Sequence, residues 1–138
     1  MAEERATTTY VVSEPFERAL KSLRKVLADG SLNLIGELDM SSRFRERLLI
    51  DAAPSRTLFI AATPARFEEL SADPSVAALT PLHIVVSARG SQTEIHVLRT
   101  LPTYSISMDR PALEVFRHLQ ARIAQAVERI GMRSTLGA

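Results

Sequence analysis

Two strand-like runs separated by a short loop constrain the fold of this chain more than any other feature. Residues 82–87 and 93–98 are apolar and β-branched, and Gly90 lies in the loop between them. Strands this close in sequence pair as an antiparallel hairpin. A hairpin departs from the alternation of strand and helix that builds a parallel sheet. The sequence therefore predicts a mixed α+β sheet with helices packed against it.

The rest of the chain alternates between strand and helix patterns. Further strands are predicted over residues 7–12, 32–39 and 57–62. Helical spacing of apolar residues follows four residues that can cap a helix, which are Ser13, Ser41 (or Ser42), Thr63 and Asp109. The predicted order is β-α-β-α-β-α-β-β-α, which agrees with a mixed α+β sheet that helices cover.

Glycines mark two of the predicted helix ends. Gly30 follows the first helix and Gly131 the last, and glycine readily adopts the left-handed conformation that closes a helix. In the strand between Leu32 and Asp39, Leu34, Gly36 and Leu38 alternate with polar residues, as in a half-buried strand. Gly30 and Gly36 are the two positions where the sequence argues most strongly that the backbone conformation requires glycine.

Length and composition indicate one domain that covers residues 1–138, with frayed ends at 1–6 and 132–138. The absence of cysteine excludes a disulfide scaffold, a cysteine-ligated metal centre and a cysteine nucleophile. The longest apolar run, residues 58–62, is far shorter than the roughly 20 residues of a membrane span. A net charge of +1 predicts neither nucleic acid nor membrane as a partner. The acidic start, without an apolar stretch, predicts a cytoplasmic protein.

An ordered set of short motifs resembles the DUF302 family. The set consists of Gly36-Glu-Leu-Asp-Met, Thr57-Leu-Phe-Ile-Ala-Ala-Thr-Pro64, Ala72-Asp73-Pro74 and Leu79-Thr-Pro81-Leu-His-Ile-Val-Val86, and it spans roughly residues 30–100. The resemblance implies a two-layer α/β sandwich of TATA-binding-protein-like topology that pairs as a homodimer. It implies no activity, since the family is defined by unknown function.

Two positions depart from the family pattern. Thr63 stands where asparagine is common, and Leu82-His83 stands where a cysteine followed by a polar residue is common. If the family uses a thiol there, this chain has lost it.

The histidines are the first candidates for chemistry. His83 and His96 lie on the two hairpin strands, each on the side away from its apolar neighbours, so we expect both on one face of the sheet. That face would be solvent-exposed or covered by a partner subunit, where imidazoles titrate near neutral pH. The third, His118, is placed beside Glu114 on the last helix. No metal site is predicted.

Other polar groups have simpler structural explanations. Glu37 and Asp39 share one face of their strand, where paired carboxylates can act as acid and base, but Asp39 also stands where a helix cap is needed. Helix capping also accounts for Ser41 and Ser42 in the absence of a nucleophile elbow. Arginines at positions 43, 45 and 47 fit a solvated helix face.

The sequence favours a small domain that acts by binding, as a homodimer or with a small ligand, without a catalytic residue or a cofactor. An apolar ligand would lie between the sheet and the long last helix. The residues expected to line such a cavity are Leu34, Phe59, Ile84, Val86 and Phe116.

The alternative is an enzyme with an anion-type site near Thr63-Pro64 and Thr80-Pro81. These positions carry the family resemblance, and helix starts bind anions through backbone N–H groups. The ligand site would then combine Thr63, Arg66, Thr80 and His83.

Overall fold

The computed structural model describes residues 7–49, 51–61, 82–98 and 110–134, and elements are numbered within these ranges. The order is β1 (Thr7–Val12), α1 (Phe16–Asp29), β2 (Asn33–Asp39), α2 (Met40–Leu48), β3 (Ser55–Ala61), β4 (Leu82–Arg89), β5 (Gln92–Leu98), α3 (Arg110–Glu128) and β6 (Met132–Arg133). The strands form one sheet in the order β2-β3-β4-β5-β1-β6, and every neighbouring pair is antiparallel. The predicted mixed α+β class is confirmed. The predicted third helix lies outside the described residues.

The hairpin at the centre of the sheet is tighter than the sequence predicted. Arg89 pairs with Gln92, so only Gly90 and Ser91 form the turn instead of the expected five-residue loop. Gly90 has a φ of +60° at the first turn position, where a two-residue hairpin of this kind requires glycine. Both strands consequently run to the end of the hairpin.

One face of the sheet carries the hydrophobic core. Alternate residues of the central strands are buried against α1 and α3, because successive strand residues point to opposite faces. The strand residues of this core face are Tyr10, Val12, Leu58, Ile60, Leu82, Ile84, Val86, Ile95 and Val97. Thr93 is the buried polar residue within it, and its hydroxyl donates a hydrogen bond to the Glu14 carbonyl over 2.9 Å.

The opposite face of the sheet is here called the histidine face. Its central residues alternate with the core residues, as Val85 and Ser87 do with Ile84 and Val86. The residues that define it are Thr9, Val11, Leu38, Phe59, His83, Val85, Ser87, Glu94 and His96. His83 is exposed and the apolar members are half-buried.

A bulge interrupts the alternation that the sequence predicted for β2. The register shifts between Leu34 and Gly36, because Ile35 is an extra residue without a partner on β3. Leu34 therefore lies on the core face opposite Ile60, whereas Leu38 lies on the histidine face. The prediction that the leucines share one face was wrong for this reason.

The ends of α1 also differ from the prediction. Pro15, not Ser13, is the N-cap residue, and it offers no side-chain hydrogen bond. At the other end Gly30 has a φ of −82°, and the left-handed residue is Ser31 with a φ of 57°. The N–H of Leu32 donates to the Leu27 carbonyl over 2.9 Å, which completes a Schellman closure one residue later than expected.

We expect Ser31→Gly to stabilise the protein by about 0.5–1 kcal/mol, because glycine occupies the left-handed region without steric cost. Urea unfolding followed by circular dichroism measures the change. Ser13→Gly, at an exposed position outside any element, is the control and should not stabilise the fold. Equal or lower stability of Ser31→Gly would show that Ser31 is not strained.

The chain end beyond α3 pairs with the sheet. Residues 132–134 were expected to fray, yet Met132 pairs with Val11, and the Ser134 N–H donates to the Thr9 carbonyl over 2.8 Å. Gly131 permits this return. A Cβ added there would lie 3.1 Å from Val12 Cγ2 and 3.2 Å from the Val11 carbonyl oxygen.

Gly131→Ala should therefore destabilise the protein by about 1–3 kcal/mol through overpacking against β1. Gly36→Ala provides a matched control, because its nearest contact would be Phe59 Cδ2 at an ordinary 3.8 Å. Thermal and urea unfolding of both variants give the comparison. Similar losses in the two would rule out close approach as the reason for glycine at 131.

Candidate functional site

The residues proposed from the family resemblance are only partly within the described structure. His83 projects from β4 on the histidine face, opposite Phe59 of β3. The two rings are tilted by 50° with centroids 6.5 Å apart. Thr63, Arg66 and Thr80 lie outside the described residues, so their convergence with His83 stays a prediction.

A polar cluster surrounds His96 at the centre of the histidine face. Its Nδ1 lies 3.0 Å from Thr9 Oγ1 on β1, and its Nε2 lies 3.3 Å from Ser87 Oγ on β4. The Glu94 carboxylate approaches Nε2 to 3.5 Å and also accepts a hydrogen bond from Arg89. The two strands that flank β5 thus each provide a hydrogen-bond partner for one ring nitrogen.

The cluster holds the imidazole in place and is poorly arranged to activate Ser87. In a catalytic triad a carboxylate binds the nitrogen that faces away from the serine. Here that nitrogen faces the neutral hydroxyl of Thr9, whereas Glu94 lies on the serine side and competes for Nε2. The arrangement suits a surface that presents fixed hydrogen-bonding groups.

His83 and His96 share one face, as the alternation predicted. They are not direct cross-strand partners, because His96 pairs with Val85 while His83 pairs with Phe59 on the other side of β4. Within residues 7–49, 51–61, 82–98 and 110–134, no three histidine or carboxylate side chains come together as a metal site would require. His118 lies on the exposed side of α3.

Glu37 belongs to an ion-pair network at the sheet edge. Because of the bulge, it lies on the same side as α1, where its carboxylate accepts hydrogen bonds from Arg24 Nη2 (2.7 Å) and Nε (2.9 Å). Arg56 Nη1 lies 3.6 Å from the same carboxylate. The hydrogen bonds from Arg24 lower the pKa of Glu37. Glu37 therefore stays ionised and serves to join α1 to β2.

Asp39 caps α2, as one of the two predictions for this helix start had it. The other prediction was wrong, because Ser41 and Ser42 lie within the first turn of the helix. Its carboxylate accepts hydrogen bonds from Ser41 Oγ at 2.7 Å and from the Ser42 N–H at 3.1 Å. These hydrogen bonds lower the pKa of Asp39 to about 2, with a smaller contribution from Arg56. A carboxylate that is ionised so stably is a poor proton donor, so the pair formed with Glu37 is structural rather than an acid–base centre.

Acid should unfold the protein partly through Glu37. A pKa lowered by folding adds stability above the unfolded value, about 4.5, and that stability is lost as the pH falls through the folded value. We expect Glu37→Gln to be less stable than the wild type at pH 7 and to show a smaller decline below pH 4.5. Urea unfolding across this range tests it, with exposed Glu46→Gln as the control. Parallel pH profiles would contradict the assignment.

The arginines of α2 form a solvent-exposed surface. Arg43, Arg45 and Arg47 are all exposed, and no residue of α2 is buried. Arg45 Nε is 3.8 Å from Asp51, and both side chains are largely solvated. This agrees with the solvated helix face that the sequence indicated.

The space between the sheet and the long helix differs from the predicted ligand cavity. Ile84, Val86 and Phe116 are buried in the core, Leu34 packs against its margin, and Phe59 lies on the histidine face. These five residues therefore do not line one cavity, because Phe59 lies on the opposite face of the sheet from the other four. Among the described residues, clefts lie along the flanks of α3.

The first of these clefts, about 270 Å³ in volume, separates α3 from β1 and β5. It is lined by Thr8, Tyr10, Val97, Arg117, Gln120, Ala121 and Ala124. The second, about 320 Å³, adjoins the C-terminus of α1. Its two arginines already have partners, since Arg122 donates to the Gly30 carbonyl and Arg129 lies 3.9 Å from Asp29.

These features define an α+β domain with two long helices on one face of an antiparallel sheet and a mixed polar and apolar opposite face centred on His96. The chain belongs to the DUF302 family, described as a domain of unknown function, whose model matches residues 8–130. It is similar in fold to the uncharacterized conserved protein DUF302 from Bacillus stearothermophilus. The alignment with that crystal structure covers 92% of this chain and 99% of the Bacillus chain, with a TM-score of 0.79 and 17% sequence identity. The curated proteins include no match.

None of the helices in the described ranges is long and apolar enough to cross a membrane.

Proposed function

We propose that this protein acts by binding, and that the histidine face is where a second copy of the chain docks. The observation that carries the proposal is the cluster around His96, in which three strands fix hydrogen-bonding side chains on a face not used by the core. Half-buried apolar side chains, among them Val85 and Phe59, lie on the same face as this cluster. Apolar area with a few fixed polar groups is the composition of a protein interface.

The charges of the histidine face support a second copy as the partner. A two-fold contact brings the same surface together from both subunits, so an unbalanced charge would repel itself. Arg89 and Glu94 neutralise each other within one subunit. At neutral pH two such faces can therefore meet without like-charge repulsion.

A cytoplasmic location belongs to the same proposal and is in keeping with a chain that has no cysteine.

Substitutions on the histidine face should separate the subunits. His83 is exposed, so His83→Glu places two negative charges in a symmetric contact without disturbing the core. We expect it to weaken self-association by about tenfold or more in sedimentation velocity, since an unpaired buried charge costs at least about 1.4 kcal/mol. Ala28→Lys, on the exposed side of α1, is the matched control for a new surface charge. A wild-type protein that is monomeric at micromolar concentration would remove the proposal.

The enzymatic alternative is tested separately. It rests on the helix start near Thr63-Pro64 and on Thr80-Pro81, with Arg66 and His83 as further candidates. Exchange of Thr63 and His83 for alanine distinguishes the two functions. Loss of ligand binding or turnover with an unchanged melting curve would support a site there, whereas a change in stability alone would support structural roles.

A further inference from the structure

The cleft between α3 and strands β1 and β5 has the features of a ligand site, independently of the histidine face. Its helical wall consists of residues 117, 120, 121 and 124, which follow the i, i+3, i+4, i+7 spacing of one helix face. This face adjoins the core-facing side of α3 without being part of it. The cleft therefore runs along the outer margin of the core and opens to solvent.

The floor of the cleft is apolar and fixed. Tyr10 and Val97 are 3% and 5% exposed, so the bottom of the cleft is part of the packed core. The Tyr10 hydroxyl donates to Glu128 Oε1 over 3.2 Å, which fixes the ring. Burial, reinforced by Glu128, raises the pKa of Tyr10, so this floor stays uncharged. Ala121 and Ala124 leave the space above it that larger side chains would fill.

The rim of the cleft is polar and cationic. Arg117 is exposed, and it takes part in none of the ion pairs formed among the described residues. Thr8 on β1 and Gln120 on α3 also line the cleft. A guanidinium group matches a carboxylate with two parallel hydrogen bonds.

We propose that this cleft binds a small monocarboxylate with a short apolar chain. The chain would lie against Ala121 and Ala124, above the buried Tyr10 and Val97, and the carboxylate would pair with Arg117 at the rim. The volume of about 270 Å³ is just below the roughly 300 Å³ at which pockets for drug-sized ligands begin, which restricts the ligand to a small molecule. Glu128, bonded to Tyr10, adds a negative charge that disfavours a second carboxylate.

Hexanoate is the probe for this site, with 1-hexanol as its uncharged counterpart. In a two-dimensional ¹H–¹⁵N NMR titration of the full chain, we expect shifts confined to the amides of the cleft, including Thr8, Val97 and Ala124. Hexanoate should bind more tightly than 1-hexanol. Arg117→Gln should weaken hexanoate binding by about tenfold or more, the effect of losing a charge-assisted hydrogen bond, and leave 1-hexanol unchanged.

Two further variants separate binding in the cleft from general effects on the protein. Ala121→Leu should abolish the binding of both probes by filling the space, and since Ala121 is exposed the fold should persist. Ala28→Leu and Arg18→Gln, the same changes on the exposed side of α1, are the matched controls and should bind as the wild type does. His83→Glu should also bind normally, so failure of the dimer and failure of this site give different results.

Three outcomes would overturn the proposal. The first is the absence of hexanoate-induced shifts in the cleft at millimolar concentration. The second is equal binding by Arg117→Gln and Arg18→Gln, which would show that Arg117 does not select the carboxylate. The third is unaltered binding by Ala121→Leu, which would place the probe elsewhere on the surface.

Discussion

The pairing of β4 with β5 through a two-residue turn is the constraint on which the rest of this structure depends. The pairing of Arg89 with Gln92 settles which residue of one strand faces which residue of the other along the whole hairpin. A slip of one residue would exchange the two faces of a strand, because side chains alternate with a period of two. This one turn therefore places Ile84 and Ile95 in the core, and Ser87 and Glu94 on the histidine face.

Much of the fold follows from patterns in the sequence. The hairpin, the helices before Gly30 and Gly131, and the shared face of His83 and His96 are all readable from apolar periodicity. The cluster around His96 was missed for two reasons. The turn was expected to contain five residues, which hides the register of Ser87 with Glu94, and Thr9 comes from a strand 87 residues away. A two-residue turn that begins at Gly90 predicts the pairing of Ser87 with Glu94, and therefore the part of the cluster that β4 and β5 contribute.

The bulge at Ile35 shows what local pattern cannot supply. Alternating leucines in β2 predict a regular strand, but an extra residue transfers Leu38 to the histidine face and brings Glu37 to the side of α1. There Arg24 offers two hydrogen bonds to the carboxylate. Only with the bulge can Glu37 pair with Arg24 while Leu34 pairs with Ile60 on the same side of the sheet. Similarly, Gly131 is needed because β1 passes close to it, a contact that is absent from any local window of sequence.

The two proposed binding surfaces make use of both sides of the same strands. On β5, Val97 forms the floor of the cleft while His96, its neighbour in sequence, lies at the centre of the histidine face. On β1, Tyr10 and Thr9 divide in the same way. A single pair of adjacent residues can thus contribute to two sites that do not share a side chain. Because the alternation is fixed by backbone pairing, a substitution on one face changes the other only through the packing of the sheet, and the two functions can be altered independently.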